Sequence, residues 1–266
     1  MINWIYSELP LSRNIKKVSL LLCFFLCMGC GYYEAPASGS SHVDHHLWNK
    51  LLAKHVSKSG EVNYKSFLKD RGQLQQYLST LSHHAPDPET WTREQQLAYW
   101  INAYNAFTVE LILDNYPLKS ITELHPKLYV PGINTVWHKK FFEIGGEPIS
   151  LDIIEHKILR KKFDEPRIHF AIVCASFSCP RLRNEAYTPE KLESQLEDQA
   201  IDFINDNRKN EISSEKLKIS KIFSWFKGDF TKKGSLINFL NRYSKVTIDE
   251  DADVSYLKYD WGLNCQ

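Results

Sequence analysis

The chain has 266 residues, with 33 Lys and Arg against 32 Asp and Glu, and six cysteines. That length can bury a sizeable core, and 13% aromatic residues exclude a disordered chain. A net charge of +1 provides no field to gather nucleic acid, so no nucleic-acid partner is expected.

The first thirty residues read as an export signal. Arg13, Lys16 and Lys17 precede an apolar run from Val18 to Met28, broken only by Ser19 and closed by Gly29-Cys30. At helical rise the run spans about 16 Å, too short for a hydrocarbon core of about 30 Å. A basic flank, a short apolar stretch and a small residue at the cut predict a signal peptide over 1–29. The ending Leu26-Cys27-Met28-Gly29-Cys30 resembles a bacterial lipobox. That resemblance implies acylation of Cys30, and Gly31 in place of Asp implies the periplasmic side of the outer membrane. Residues 30–44 predict a Gly/Ser/Pro/Ala-containing tether, and 45–266 a single domain. Cleavage removes three basic residues and one acidic residue, leaving 30 against 31 and a net charge of −1. Cys23 and Cys27 leave as well. With Cys30 acylated, Cys174, Cys179 and Cys265 form an odd set of thiols.

In chain order, Leu47, Leu51 and Leu52 predict a helix over 45–56, closed by Ser59-Gly60. Leu74, Tyr77, Leu78 and Leu81 predict another over 67–81, broken at Ala85-Pro86. Thr92 and Gln95 form a capping box, and Leu97, Trp100, Ile101, Tyr104, Phe107, Thr108 and Leu111 make one stripe until Pro117. A loop-rich stretch over 122–140 precedes a hairpin over 141–149, turned at Gly145-Gly146. Ser150 caps a helix to about 162. The apolar run 167–174 predicts a central buried strand. A helix after Thr188-Pro189, a strand over 216–223, a short helix over 236–243 and a strand over 254–261 complete the chain. The expected class is α+β: one domain, its helical first half packed on a small mixed sheet.

Chemistry concentrates in three places. Asn102 and Asn105 are poor mid-helix residues on one side of a strong helix. They predict polar clamps, or, for Asn105, a residue that orients a catalytic side chain. In 150–156, a 100° step per residue puts Glu155 inside the apolar arc of Leu151, Ile154, Ile158 and Leu159, with His156 at its edge. A carboxylate there must be paired, hydrogen-bonded or protonated. A salt bridge to an interior Arg such as Arg167, or a catalytic role, would meet that need. The third place is the run from Pro166 through His169 to Cys174 and Cys179. In a regular strand His169 and Cys174 point to opposite faces, which leaves Cys179 freer to meet His156 or His169. Three readings stand for the two cysteines, in this order: disulfide or buried thiol, thiolate nucleophile, and zinc ligand. For zinc, His138, His156 and His169 lack a recognised spacing.

Several segments together resemble the DUF547 family, in the family's order over about 90–264. They are Trp100-x-Asn102-x-Tyr104-Asn105-Ala106, Ser150-Leu151-Asp152-x-x-Glu155-His156, Arg160, Pro166-Arg167-x-His169-Phe170 and Cys174-x-Ser176-x-Ser178-Cys179-Pro180. Lys221-Ile222-Phe223-x-Trp225 with Asp229, and Tyr259-Asp260-Trp261-x-Leu263-Asn264, complete the set. The resemblance implies little about activity, since the family is named for its unknown function. Members in reducing compartments imply that a disulfide is not obligatory. The resulting expectation is an exported, lipid-anchored protein acting at the cell envelope by acyl transfer or peptide hydrolysis. Cys179 or Cys174 is the nucleophile, His156 or His169 the base, and Glu155 and Asn105 support them, with no cofactor or metal. The rival expectation is a non-catalytic module that binds a peptide or an envelope protein.

Overall fold

A computed structural model describes residues 42–128, 130 and 133–265; the expected signal peptide, Cys30 and most of the expected tether lie outside the described residues. Helix α1 (His46–His55) leads into the short α2 (Tyr64–Phe67) and then α3 (Arg71–His83). Gly60, at φ +86°, makes the turn between α1 and α2, and a Cβ there would collide with Arg181. Next comes α4 (Arg93–Asp114). Thr92 Oγ1 accepts the Gln95 N–H at 3.2 Å and Gln95 Oε1 accepts the Thr92 N–H at 2.8 Å, the reciprocal cap its sequence predicts.

Instead of burying one stripe, α4 is buried on every side from Leu97 to Val109. Ala98, Ala103 and Ala106 let neighbouring elements approach closely, and its polar side chains are bonded internally. Asn102 Nδ2 donates to Tyr187 O (2.8 Å) and its Oδ1 accepts the Tyr187 N–H (3.0 Å). Asn105 Nδ2 donates to Ala171 O and its Oδ1 accepts the Val173 N–H, both at 2.9 Å. Thr108 donates to Tyr104 O within the helix.

The hairpin β1 (Phe142–Ile144) and β2 (Glu147–Ile149) turns at Gly145 and Gly146, both at positive φ. A π-helical turn over Ile153–Leu159 runs into α5 (Arg160–Lys162). The expected strand over 167–174 is instead the helical turn α6 (Ile168–Ala171) followed by an extended stretch. A short apolar run between Pro166 and a polar loop reads as strand or as buried helix by periodicity alone. Here the Val173 N–H finds Asn105 and not a neighbouring strand.

Helix α7 (Leu192–Asn205) follows, then β3 (Glu211–Ile212) and β4 (Lys216–Ile219). Strand β4 stops short of the expected 216–223, because Ser220 caps α8 (Lys221–Trp225), its Oγ accepting the Ile222 N–H. Two short helices, α9 (Lys227–Phe230) and α10 (Leu236–Leu240), precede β5 (Asp253–Tyr256). The three-stranded sheet is mixed, with β3–β4 antiparallel and β4–β5 parallel. Beyond Tyr256 the chain leaves the sheet, so the final strand is shorter than 254–261, and its tail makes single bridges to Val62, Ser120 and Ser176. The fold is α+β in one unit. Two apolar clusters meet at α6, where Ile168 and Ala171 belong to the larger and Phe170 to the smaller, beneath α7.

Asn105→Ala strips partners from a buried N–H and a buried C=O at once. It is expected to destabilise the fold by about 3 kcal/mol, read as a lower urea midpoint at unchanged m-value.

Candidate functional site

A cavity of about 730 Å³ lies among the π-helical turn, the 174–180 loop, α8 and the 259–261 segment. Glu155, His156, His169, Cys174 and Cys179 all line it, together with Tyr104, Asp152, Arg160, Tyr259 and three tryptophans, Trp137, Trp225 and Trp261. Asn105 does not: both ends of its amide are bound to backbone, so it holds the cavity wall from behind. Cys30 lies outside the described residues.

Glu155 lines the cavity from the π-helical turn as a half-buried residue. Its backbone C=O accepts the Arg160 N–H in the wider π turn. The Tyr104 hydroxyl donates to its Oε2 at 3.4 Å. The expected partner Arg167 is elsewhere, its guanidinium bonded to Glu165, Glu193 and Glu197. With no close cation to offset it, burial pushes the Glu155 carboxyl up to about 7, opposed in part by the charge of Arg160. It can therefore exchange a proton near neutrality.

The histidines are held by other groups. Arg160 Nη1 donates to His156 Nδ1 at 2.9 Å, and His156 Nε2 faces Asp152 at 3.6 Å. Asp152 also faces His138 Nε2 at 3.4 Å. Burial lowers the affinity of His156 for a proton, with Asp152 opposing. His169 Nε2 donates to Asp229 Oδ2 at 2.8 Å, its ring stacked 3.9 Å from that of Phe226. Burial pushes His169 down to about 4 despite Asp229, so it is neutral. Its buried Nδ1 has no hydrogen-bond partner among the described residues. Asp229 is desolvated, but bonds from His169 and Arg160 hold it well below the usual carboxylate range.

Cys174 and Cys179 are joined in a disulfide, their Cα atoms 6.3 Å apart. Tyr259 OH lies 3.3 Å from each sulfur, and Ser176 Oγ lies 3.2 Å from Cys174 Sγ and 3.4 Å from Cys179 Sγ. The Cys174 N–H also points to Cys179 Sγ at 3.0 Å. No thiolate–imidazole pair is therefore formed: His169 serves Asp229, and His156 lies between Arg160 and Asp152. Among the described residues no group of three or more His, Cys, Asp or Glu is placed to hold a metal ion.

Several residues to which the sequence assigned no site role belong to this cavity. Tyr259 and Trp261, at the end of the expected final strand, are part-exposed and line it. Arg160, named above only among the family motifs, bonds both His156 and Asp229. A usable signal existed, since Asp152, His156 and Arg160 recur every four residues and so share a face.

The arrangement defines an α+β protein with an aromatic-walled cleft containing a proton-exchanging carboxyl and a disulfide. Residues 88–204 match the family DUF547, described as a protein of unknown function. Neither the curated proteins nor the solved structures contain a match.

A carboxyl that holds its proton more tightly when folded stabilises the fold in acid. Its contribution is complete below the ordinary 4.5 and is lost as pH rises through about 7. Glu155→Gln is therefore expected to match the wild type in stability near pH 4.5 and to exceed it by about 3 kcal/mol at pH 8. Urea titrations at the two pH values measure the difference.

Proposed function

We propose that the protein is exported, is anchored through lipid on Cys30 to the periplasmic side of the outer membrane, and acts there as a cysteine-dependent hydrolase or acyl-transferase. The observation that carries the catalytic reading is the gathering of Glu155, Cys174 and Cys179 from distant segments into one cavity. The working form is the dithiol. Cys174, the more open sulfur, attacks an acyl carbonyl. Glu155 takes the thiol proton and returns it to the leaving amine or alcohol, so that a thioester forms as the acyl bond breaks. Water or an acceptor then releases the acyl group. Asp152, His138 and His156 offer polar contacts to the substrate, and the tryptophans offer apolar faces. One observation favours a second reading, a peptide-binding or protein-binding module: with the sulfurs bonded to each other, neither cysteine of the cleft is a free thiol.

The two readings separate in a stopped-assay comparison of oxidised and pre-reduced protein on p-nitrophenyl esters. Hydrolysis is expected only after reduction, with an acyl adduct on Cys174. It should fall at least about 100-fold in Glu155→Gln and be lost in Cys174→Ser. Equal rates in both redox forms, or activity surviving Cys174→Ser, leave the binding module. For the anchor, mass spectrometry of the mature amino terminus should find a diacylglyceryl group on Cys30, and Cys30→Ser should release the chain from membranes.

A further inference from the structure

The donors around the cysteine pair are distributed unequally, and the inequality has a chemical direction. Cys179 is almost fully buried and Cys174 is part-exposed to the cavity. The Cys174 N–H is directed at Cys179 Sγ at 3.0 Å, so one sulfur has a backbone donor that the other lacks. Ser176 Oγ lies 3.1 Å from Tyr259 OH and can donate to it, which frees the Tyr259 proton for sulfur. Tyr259 keeps that proton, because burial raises its pKa far above neutrality. Cys179 can thus receive two hydrogen bonds at once, from a backbone amide and a phenol. Ala175, between Cys174 and Ser176, sits at φ +61°, a strained position for a residue with a Cβ, and the chain turns back on itself there.

We propose that Cys174–Cys179 is a redox-active disulfide that exchanges with thiols, with Cys174 as the attacked sulfur and Cys179 as the leaving sulfur. An external thiolate enters the cavity and bonds to Cys174 Sγ. The Cys174–Cys179 bond breaks and its electron pair stays on Cys179, where the Cys174 amide and the Tyr259 hydroxyl stabilise the thiolate. A second thiolate then attacks the external sulfur of the mixed disulfide and releases Cys174 as a thiolate. The balance is two thiols oxidised to one disulfide while the protein disulfide becomes a dithiol. The ligand class is a thiol small enough, or a peptide cysteine extended enough, to enter the cavity mouth. This exchange does not require the acyl chemistry proposed above, although it generates the dithiol that chemistry uses.

The test uses the full chain in glutathione buffers of defined ratio, quenched with acid and mapped by peptide mass spectrometry. Cys265, the exposed free cysteine among the described residues, is scored separately, as are Cys23, Cys27 and Cys30. In folded wild type the glutathione adduct is expected on Cys174, in at least tenfold excess over Cys179. Tyr259→Phe removes one donor to the leaving sulfur. It should shift the dithiol–disulfide equilibrium about tenfold toward the disulfide, about 30 mV for a two-electron couple. If Tyr259→Phe does not fold, judged by circular dichroism, the wild-type adduct position alone decides. An adduct chiefly on Cys179, no adduct until urea unfolds the chain, or a folded Tyr259→Phe with an unchanged equilibrium would each overturn the proposal. Loss of ester hydrolysis with exchange intact would fall on the acyl-transfer reading alone.

Discussion

Asn105 holds a stretch of backbone that has no strand beside it. Residues 171–173 pass from a helical turn into a polar loop at the seam between two apolar clusters, and their buried amide and carbonyl need partners. A side-chain amide supplies one donor and one acceptor in a single rigid plane, which Asn105 uses in full. Asn102, one turn earlier, does the same for Tyr187. The helix bearing both is buried all round, so neither amide can retreat to water. The disulfide loop begins one residue after this clamp, and the position of its sulfurs in the cavity depends on it.

From that anchored edge the cleft divides its charges into two zones. Arg160, Asp229 and His169 form a bonded group, an ion pair buttressing a neutral imidazole whose proton bond points to the carboxylate. Glu155 lies apart, bonded to the Tyr104 hydroxyl and to no cation, and its burial is what raises its proton affinity toward neutrality. The first zone is bonded together and its charges balance. The second is where a proton can move.

Features set by neighbours in sequence were legible. The capping box of α4 joins residues three apart, and the Gly145-Gly146 turn is decided within four. Glu155 was legible as a carboxyl in an apolar arc, and the two asparagines as clamps. Their partners were not, because Tyr104 meets Glu155 across 51 residues and Asn105 meets Ala171 across 66. The 167–174 run was misread because burial on all sides erases the periodicity that separates helix from strand. The π turn was equally silent, although it changes which residues of 153–159 share a face.

The loop carrying the cysteines is stitched to the chain's last described segment. Phe177 and Ser178 donate to the carbonyls of Gly262 and Asp260, Asn264 donates to that of Ala175, and Tyr64 reaches the Asn264 side chain. Ser176 and Tyr259, which share the proton relay at the sulfurs, are 83 residues apart. As a chain emerges in order from the ribosome or a translocation channel, both cysteines are present long before the phenol that faces them. The two cysteines lie five residues apart, whereas the phenol beside them belongs to a segment that can dock only after residues 259–264 are made. In the thiol exchange proposed above, the closing segment would therefore serve as a latch, since a chain interrupted before it would lack the Tyr259 hydroxyl and the bonds from residues 260–264 that hold the loop.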